Sequence, residues 1–351
     1  MRAALPTSSA QASDARAEFY RRIDRDHLTP LWESLAQLVP PQPSSPCVPA
    51  LWRYEAVRPH LMEAGRLISA QEAERRVLVM ENPGLRGASS ITRTLYAGLQ
   101  LILPGERAPS HRHTQSALRF VVEGTGAYTA VNGEPAFMQP GDFIITPSWA
   151  YHDHANPGDN PVVWLDGLDI PMISFFDAGF AERSAEPKQA LTRPDGDALS
   201  RYGAGLLPYE YQSPSLSTPL LSYPYARSRA ALRALHRQAE LSSFHGVKMQ
   251  YSNPVTGGYP MPTIAAYLQL LPEGFRGRGY RSTDGTVYCV VEGHGRSRIG
   301  DQLFDWAPKD VFVVPSWCPV QHEADADSVL FSYSDRPVQK ALGIWREDAI
   351  P

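Results

Sequence analysis

The sequence lacks the features that mark disulfide-rich, membrane-spanning and nucleic-acid-binding proteins. Its 351 residues include three cysteines, an odd number without metal-like spacing, which we interpret as reduced thiols. No apolar run approaches the ~18 residues that span a bilayer, and the first residues lack the apolar core of a signal peptide. The net charge of −4 comes without a basic cluster. We therefore expect a cytoplasmic protein that binds neither membranes nor nucleic acid.

The pattern of the chain changes along its length from helical to β-rich. Apolar residues at helical spacing predict helices over 13–38, 58–67, 70–79 and 227–242. Ser69 is a predicted N-cap of the third of these, because Glu72 follows three residues later. Short strands separated by Gly and Pro are predicted within 92–170 and 263–345, which is typical of a β-sandwich or barrel. Asn132-Gly133 between two such strands predicts a two-residue hairpin.

The second β-region repeats the first at an offset of 168 or 169 residues. RFVVEGTGAY at 119–128 corresponds to YCVVEGHGRS at 288–297, and GDFIITPSWAYHDH at 141–154 to KDVFVVPSWCPVQH at 309–322. A shared order of motifs at a constant offset indicates two similar β-domains. The predicted divisions are a helical segment over 1–90, a first β-domain over 91–180, a linker with a helix over 181–260, and a second β-domain over 261–351.

Four histidines of the first β-domain form a candidate metal or catalytic cluster. His111 and His113 are two residues apart, so in a strand their imidazoles point to the same face. His152 and His154 follow with the same spacing after the chain returns. Neutral imidazoles suit several divalent ions, including Zn, Cu, Fe and Ni, so this pattern predicts a metal site without choosing the metal.

The repeat separates these histidines into two groups. At the repeat offset, Tyr280, Ser282 and Val320 replace the first three histidines, while His322 matches His154. The glycines, the Ser-Trp pair and the apolar strand positions persist in both copies. The fold therefore does not need the first three histidines, and we interpret them as ligands. His154 keeps a counterpart and is assigned to a supporting role.

Two motifs in this region resemble those of the cupin superfamily. The first runs from Gly105 through His111-Arg112-His113 to Gly124, and the second runs from Gly141 through Pro147 and His152 to Asn156. The resemblance implies two small antiparallel jelly-roll barrels, a bicupin, with a metal in the mouth of the first barrel. The superfamily usually supplies a Glu ligand after the second histidine, but Ala117 and Leu118 stand at those places. The expected site has three histidines and no carboxylate.

The chain resembles the gentisate 1,2-dioxygenase family in this missing carboxylate and in the segments HRHTQSALRFVVEG, TPSWAYHDH and WLDGLDIP. The family also contains salicylate and 1-hydroxy-2-naphthoate 1,2-dioxygenases. The resemblance covers about residues 15–345 and implies an Fe(II) enzyme that cleaves an aromatic ring between a carboxyl-bearing and a hydroxyl-bearing carbon with O₂. It also implies a homotetramer. The second barrel should lack metal ligands.

Further polar residues of the first β-domain are candidates for substrate contact and catalysis. Arg119 lies between apolar neighbours, so it faces away from their side of the strand, where a guanidinium needs an anion. Asp166 is an acid in an apolar strand, and with His154 and Arg119 it forms the predicted catalytic set. The predicted substrate contacts are Arg119, Arg75, Gln100, Tyr96 and Trp149. For each residue the alternative is a structural role, and for Arg75 the neighbouring Arg76 leaves the position open. Glu123 recurs as Glu292 in the second copy and is interpreted as a turn residue.

Three functions remain open at this level. The first is Fe(II)-dependent cleavage of gentisate to maleylpyruvate, with salicylate or 1-hydroxy-2-naphthoate as alternative substrates. The second is a non-catalytic bicupin that binds an aromatic acid. The third is a cupin decarboxylase or isomerase, although those enzymes mostly keep the carboxylate that Ala117 or Leu118 replaces.

Overall fold

The computed structural model describes residues 9–212 and 215–350, with side chains of the first helix described from residue 13. Residues up to 44 form one compact unit and the remainder another. The α-helices within the described residues are α1 (Ser9–Arg25), α2 (Leu31–Leu38), α3 (Tyr54–Leu67), α4 (Ala70–Ala73), α5 (Ile170–Phe175), α6 (Asp197–Tyr202), α7 (Tyr225–His236) and α8 (Arg336–Ala341). A 3₁₀ turn covers Pro83–Leu85.

The first half of the chain contains eleven strands, and all of them except β1 belong to the first barrel. They are β1 (Ala50–Trp52), β2 (Val77–Val79), β3 (Tyr96–Ile102), β4 (Arg107–His113), β5 (Ala117–Glu123), β6 (Tyr128–Val131), β7 (Glu134–Phe137), β8 (Phe143–Thr146), β9 (His152–Ala155), β10 (Val162–Leu168) and β11 (Ala181–Arg183).

The second half contributes as many strands again. They are β12 (Ser222–Tyr223), β13 (Val247–Gln250), β14 (Ala265–Leu271), β15 (Tyr280–Ser282), β16 (Thr286–Glu292), β17 (Gly295–Ile299), β18 (Gln302–Trp306), β19 (Val311–Val314), β20 (Val320–Ala324), β21 (Ser328–Ser334) and β22 (Glu347–Ala349).

Each barrel consists of a six-stranded and a five-stranded antiparallel sheet. The first barrel has the orders β12-β8-β5-β10-β3-β2 and β11-β4-β9-β6-β7, and the second has β1-β19-β16-β21-β14-β13 and β18-β17-β20-β15-β22. The six-stranded orders match strand for strand. The predicted mainly β, bicupin fold and the internal repeat are therefore confirmed.

The two six-stranded sheets pack face to face inside the larger unit. One large apolar cluster contains alternate residues of both sheets, and the rings of Phe120 and Phe331 stack across it at 4.1 Å. Side chains alternate across a strand, so the opposite faces line the barrel interiors, where separate apolar clusters lie. Each barrel therefore has an interior that is independent of the shared core.

Two helix predictions need correction. The helix predicted over 13–38 is two helices, because the chain turns at His27, whose φ is 56°, and Pro30 precedes α2. The helix predicted over 70–79 ends at Ala73, although its Ser69 cap is confirmed by a bond from the Glu72 backbone N–H. Val77–Val79 instead pairs with β3, where β-branched side chains suit the sheet.

The hairpin at Asn132-Gly133 is confirmed. Val131 and Glu134 face each other across β6 and β7. Asn132 and Gly133 have φ values of 47° and 83°, the left-handed pair that a type I′ turn requires. This turn closes the five-stranded sheet that carries the histidines.

Each barrel borrows a strand from the other half of the chain. β1 lies before the first barrel but pairs with β19 of the second, with Ala50 opposite Val313. β12 lies in the linker but pairs with β8 of the first, with Ser222 opposite Ile144. The segments over 1–90 and 181–260 therefore supply sheet strands as well as helices. The domain boundaries themselves stay a prediction.

The helix after each exchanged strand holds that exchange in place. At the start of α3, the Tyr54 backbone N–H donates to Asp310 of the second barrel at 2.8 Å. At the start of α7, the Tyr225 backbone N–H donates to Asp142 of the first barrel at 2.8 Å. The two contacts are counterparts in the repeat, so the exchange is symmetric.

Glu123 and Glu292 also serve this packing. Arg58 of α3 donates to Glu123 at 2.7 Å, and Tyr54 donates to it at 3.0 Å. Arg229 of α7 donates to Glu292 at 3.0 Å. Each glutamate ends a barrel strand and ties it to a helix, so its partners are structural.

Two buried aspartates precede the short helices that end each barrel. Asp169 accepts from the Ser116 backbone N–H at 2.9 Å and from the Thr263 hydroxyl. Asp335 accepts from the Gly285 backbone N–H at 3.0 Å. Burial raises the pKa of each carboxyl to about 6, because the charged form is poorly solvated.

We expect these aspartates to make stability fall between pH 5 and pH 7.5. In that range the unfolded carboxyl groups are ionised while the folded ones still bind protons, so stability decreases as pH rises through about 6. The double variant Asp169→Asn/Asp335→Asn lacks this loss. Urea unfolding should therefore show the variant gaining about 1 kcal/mol or more per site over the wild type between the two pH values. The assignment would be contradicted if the difference in unfolding free energy between variant and wild type were the same at both pH values.

Candidate metal centre

Two neighbouring strands of the first barrel place three histidines side by side. β4 and β9 are antiparallel neighbours, and His111 lies directly opposite His152. The pairing shifts register between Ala108 and His111, an irregularity that bends and twists a strand. His113 lies two residues beyond His111 on the same face. One side of a two-stranded ribbon therefore carries all three imidazoles.

The three imidazoles converge on one point. Their candidate ligand atoms all lie within 4.8 Å of one another, and the Nε2 atoms of His111 and His152 are 3.0 Å apart. His113 Nδ1 lies 2.9 Å from the Gln115 carbonyl oxygen, and His152 Nδ1 lies 3.0 Å from that of Ala150. A carbonyl only accepts hydrogen bonds, so these Nδ1 atoms carry the proton and each Nε2 keeps its lone pair for a metal.

The surroundings keep the three imidazoles neutral. Burial, with the nearby Arg75 as the next cause, lowers the pKa of His111 to about 3. Burial also lowers the pKa of His113 to about 4. The pKa of His152 lies well below its usual range because of burial and the Arg119 charge. Neutral imidazole is the form that binds a metal ion, so the site is prepared for a cation before the cation arrives.

The ligand set contains no carboxylate, as the sequence predicts. Within the described residues, the cluster at this point consists of the three histidines alone. Ala117 and Leu118 are both buried, and Leu118 faces the core shared by the two barrels. Three neutral nitrogen donors fit a divalent first-row metal and leave coordination positions open for other ligands. The chain is therefore built to bind a metal ion at this point.

A polar patch lies on the interior face of the six-stranded sheet. An apolar cluster inside the barrel contains Ile102, Val121, Ile144 and Trp164. Each of these residues lies two positions along its strand from one member of the polar patch. Because residues two apart share a face, the patch points into the same interior. Its members are Gln100, Arg119, Thr146 and Asp166, all buried.

Arg119 and Asp166 are the charged pair of this patch. They face each other across β5 and β10, with Arg119 Nε 3.7 Å from Asp166 Oδ1. Arg119 Nη1 donates to the Thr146 hydroxyl at 2.6 Å, and Trp164 Nε1 donates to Asp166 at 2.9 Å. Burial raises the pKa of Asp166 to about 6 although Arg119 opposes the shift. The buried Arg119 Nε lacks a hydrogen-bond acceptor, so the guanidinium has donor capacity for an anion.

The structure distinguishes Arg75 from its neighbour Arg76. Arg75 Nη2 lies 3.2 Å from His111 Nε2 and donates to the Pro109 carbonyl at 2.9 Å. Arg76 points elsewhere, because it donates to both carboxylate oxygens of Glu106 and to the Ile68 carbonyl. Arg75 therefore reaches the histidine cluster, while Arg76 fastens the segment that carries it.

His154 lies deeper in the barrel than the three converging histidines. Its Nδ1 is 2.9 Å from the Thr129 hydroxyl, and its buried Nε2 has no hydrogen-bond partner. Its ring lies 5.2 Å from that of Trp164. In the second barrel, His322 Nδ1 bonds Ser297 in the same way, at 2.7 Å. The arrangement thus recurs where the metal ligands are missing.

The predicted aromatic walls have different environments. Tyr96 is half-buried, and a methyl group added at Gly98 would lie 2.9 Å from the Tyr96 hydroxyl. Gly98 lies opposite Asp166, so the hydroxyl lies near the polar patch, and burial, with the Asp166 charge as the second cause, raises the pKa of this phenol. Trp149 is 40% exposed, and its ring lies under the Arg112 guanidinium at 4.5 Å. The Trp149 backbone N–H donates to the His113 carbonyl at 2.8 Å, so the residue lies beside the cluster while its ring stacks on Arg112.

The Trp149 arrangement also recurs in the second barrel. Arg281 lies over Trp317 at 4.5 Å, at the place that corresponds to the first pair. Both tryptophans have positive φ values, 63° and 60°. Because the second barrel has no ligand histidines, this stacking belongs to the fold of the turn.

Two interior residues were missed at the level of sequence. Thr146 bonds Arg119, and Trp164 bonds Asp166. Each lies two residues from an interior position, so strand alternation from Ile144 and from Asp166 could have identified them. Gln100, which was predicted, is buried on the same face.

None of the helices in the described part of the chain is both long and apolar enough to cross a bilayer.

Comparison with known proteins agrees with the fold and identifies the family. A cupin-domain family model matches residues 98–168, which include the three histidines. Gentisate 1,2 dioxygenase 1 from Aquipseudomonas alcaligenes is 57% identical over 97% of this chain and 98% of its own length. 1-Hydroxy-2-naphthoate 1,2-dioxygenase from Nocardioides sp. is 34% identical over 97% of this chain and 89% of its own length.

A solved structure is similar to this chain over nearly its whole length. Salicylate 1,2-dioxygenase from Pseudoaminobacter salicylatoxidans, determined with gentisate, superposes with a TM-score of 0.91 at 34% identity, covering 99% of this chain and 95% of that one. Similarity of this extent spans both barrels and the helices between them. The chain belongs to the gentisate 1,2-dioxygenase family of bicupin ring-cleaving dioxygenases.

Proposed function

We propose that this enzyme uses Fe(II) to cleave gentisate with O₂ to maleylpyruvate. The observation that carries the proposal is the three-histidine cluster facing the same barrel interior as Arg119. A ligand with a carboxylate beside a hydroxyl can meet a metal ion and a guanidinium at the same time. Both oxygen atoms of O₂ enter the product, so the reaction needs no further reductant.

The ligand chemistry supports iron without excluding other divalent ions. Three neutral imidazoles provide no negative charge, and they leave about three positions of an octahedral ion free for a bidentate substrate and O₂. When bound, Fe(II) supplies the electron transfer between the aromatic ring and O₂ that breaks the ring bond. Zinc does not change oxidation state, so it would not support this chemistry.

The roles of the charged residues follow from their contacts. Arg119 is held by Thr146 and retains an unpaired donor, so it is suited to bind the substrate carboxylate. Arg75 approaches the His111 nitrogen that would bind the metal. If that nitrogen bound a metal, the Arg75 guanidinium would be free to turn to an oxygen of the substrate. Both cations thus favour an anionic substrate.

Asp166 and His154 are proposed as the groups that hold or move a proton. Asp166 has a pKa raised to about 6, so at neutral pH it is poised to accept a proton from a substrate hydroxyl. His154 Nε2 is buried without a partner and can orient a polar group near the barrel centre. Gln100 and Tyr96 complete the proposed substrate contacts from β3. Trp149 stays a proposed contact, and its ring stacks on Arg112.

The substrate is proposed from the relatives together with the pocket. The similar proteins include gentisate, 5-aminosalicylate and 1-hydroxy-2-naphthoate dioxygenases, which makes salicylate and 1-hydroxy-2-naphthoate the alternative substrates. The relatives are dioxygenases, which speaks against a non-catalytic bicupin that binds an aromatic acid. We further propose a cytoplasmic homotetramer, on the family resemblance.

Oxygen uptake tests this function directly. Purified protein loaded with Fe(II) should consume O₂ with gentisate and form a product that absorbs in the near ultraviolet. Salicylate and 1-hydroxy-2-naphthoate are tested in parallel, and the metal content is measured on the same sample. Absence of turnover with all three acids would overturn the proposal, and activity that follows Mn or Zn content would overturn the choice of iron.

Replacing Arg75 and Arg76 separately should affect different properties. Arg75→Met should lower kcat/KM about 10-fold or more, because a charge-assisted hydrogen bond contributes about 1.5–3 kcal/mol, with little change in unfolding. Arg76→Met should instead destabilise the fold by about 3–5 kcal/mol, because it leaves Glu106 in a broken buried pair. Steady-state kinetics and urea unfolding of both variants check this. The reverse pattern would show that Arg76 is the substrate contact.

A further inference from the structure

The second barrel has lost its ligand histidines but has kept a polar interior. Tyr280 stands opposite Val320, as His111 stands opposite His152 in the first barrel. Tyr288 stands opposite Ser332, at the places of Arg119 and Asp166. The hydroxyls of Tyr280 and Tyr288 are 3.1 Å apart. Apart from Val320, the residues at the places of the three histidines and of the Arg119–Asp166 pair are thus themselves polar.

Several buried polar atoms of this interior have no hydrogen-bond partner. They are Nε2 of His322, Oγ of Ser332, Oε1 of Gln269 and Nδ1 of His245. His322, Ser332 and Gln269 are 0% exposed. Buried polar groups are nearly always hydrogen-bonded, so a concentration of orphaned atoms in one barrel points to a polar molecule that satisfies them.

His322 presents a donor to this interior. Trp306 Nε1 donates to the Ser297 hydroxyl at 2.9 Å, and that hydroxyl lies 2.7 Å from His322 Nδ1. The Ser297 proton is satisfied only if it is donated to Nδ1. The neutral imidazole then carries its proton on Nε2, and that N–H is the orphaned group. Burial lowers the pKa of His322 to about 3, in agreement with a neutral ring.

A lysine without a carboxylate partner supplies the charge. Lys248 lies opposite Gln269 across β13 and β14, and its Nζ is 4.8 Å from the centre of the Tyr267 ring and 5.7 Å from that of Tyr288. It makes no salt bridge within the described residues, and the nearby Asp284 is already paired with Arg336 at 3.0 Å. Burial lowers the pKa of Lys248 to about 7. A bound anion would stabilise the charged ammonium.

These residues occupy two neighbouring rows of the same interior face, two residues apart along each strand. Gln269 is the neighbour of Lys248, and Ser332 lies opposite both Tyr267 and Tyr288 on adjacent strands. The ring of His322 is 5.1 Å from that of Tyr288. A single small molecule inside the barrel would therefore meet the ammonium, the imidazole N–H and the Ser332 hydroxyl together.

We propose that the second barrel is a binding site for a small organic monocarboxylate, separate from the metal centre. One cation and several neutral donors match a single negative charge, whereas a phosphate dianion would need further cations. The aromatic rings suit an apolar body attached to that charge, and the rings of His245 and Tyr280 meet edge to face at 4.5 Å. The proposal concerns binding alone and includes no chemical change of the acid.

Benzoate titration of the Fe(II)-loaded enzyme tests the site. Isothermal titration should show Lys248→Met binding one benzoate per chain fewer than the wild type, while ring cleavage by the variant remains within about twofold. Retained ring cleavage also demonstrates that the variant folds. Lys188→Met, at an exposed lysine, is the matched control and should bind as the wild type does. Equal stoichiometry in Lys248→Met and wild type would overturn the proposal.

A second measurement locates the bound acid. A crystal structure with benzoate should show a carboxylate between Lys248 and His322, and Ser332→Ala should weaken this binding several-fold without changing the charge. Acetate and inorganic phosphate are titrated in parallel. Binding of phosphate in place of both carboxylates, or a barrel that contains only water, would overturn the assignment.

Discussion

Replacing His111 by alanine is expected to abolish both metal binding and ring cleavage. His111 contributes one of three ligand nitrogens, and its Nε2 lies 3.0 Å from that of His152. No carboxylate can replace the lost ligand nitrogen, because Ala117 and Leu118 occupy the places where the cupin superfamily carries a carboxylate. Metal analysis should show less than one-tenth of the wild-type iron, and oxygen uptake with gentisate should fall below detection.

The matched control is a histidine outside the cluster. His60 is exposed on α3, and His60→Ala should retain iron and turnover. Both variants should show the wild-type unfolding midpoint when stripped of metal, because the second barrel keeps the same fold without the three histidines. Turnover by His111→Ala at more than a few per cent of the wild-type rate would show that the ligands are misassigned.

Replacing Arg119 by methionine is expected to raise the KM for gentisate by about 30-fold or more. The side chain is 3% exposed and its Nε has no hydrogen-bond acceptor, so under the proposed function the substrate carboxylate would be the partner it lacks. Truncating one member of a buried, hydrogen-bonded charge pair costs about 2–5 kcal/mol. Arg119→Lys should recover part of the affinity, since an ammonium keeps the charge but loses the planar two-bond geometry.

A double variant separates recognition from stability. Arg119→Met alone also leaves Asp166 without its cation, which should destabilise the fold. Arg119→Met/Asp166→Asn removes both charges, so the unfolding free energy should recover while the KM stays high. If the double variant recovered both properties, Arg119 would be only the structural partner of Asp166.

The convergence of His111, His113 and His152 could be predicted from sequence because strand geometry leaves little freedom. Residues two apart in a strand share a face, and the second copy of the motif showed which histidines the fold does without. The same reasoning assigned Arg119 to the interior face, since Leu118 and Phe120 are apolar. In each of these cases the information lies in the alternation within a short strand or in the comparison of the two motif copies.

Features that depend on distant pairing were not accessible in this way. Nothing local indicates that Ala50–Trp52 completes the sheet of the second barrel, because its partner lies on β19. The choice between Arg75 and Arg76 depends on where Glu106 lies, which only the folded chain shows. The helix predicted over 70–79 failed for the same reason, since pairing with β3 overrides local propensity.

During synthesis, the two exchanged strands differ in how long they remain without their pairing partners. β1 emerges from the ribosome about 260 residues before β19, with which it pairs, whereas β12 emerges after its partner β8 is already made. At a synthesis rate of about 5–20 residues per second, β1 stays without its partner for on the order of 10–50 s. The first barrel can therefore close during translation, while the second closes only near its end, when β19 and the strands after it have been made.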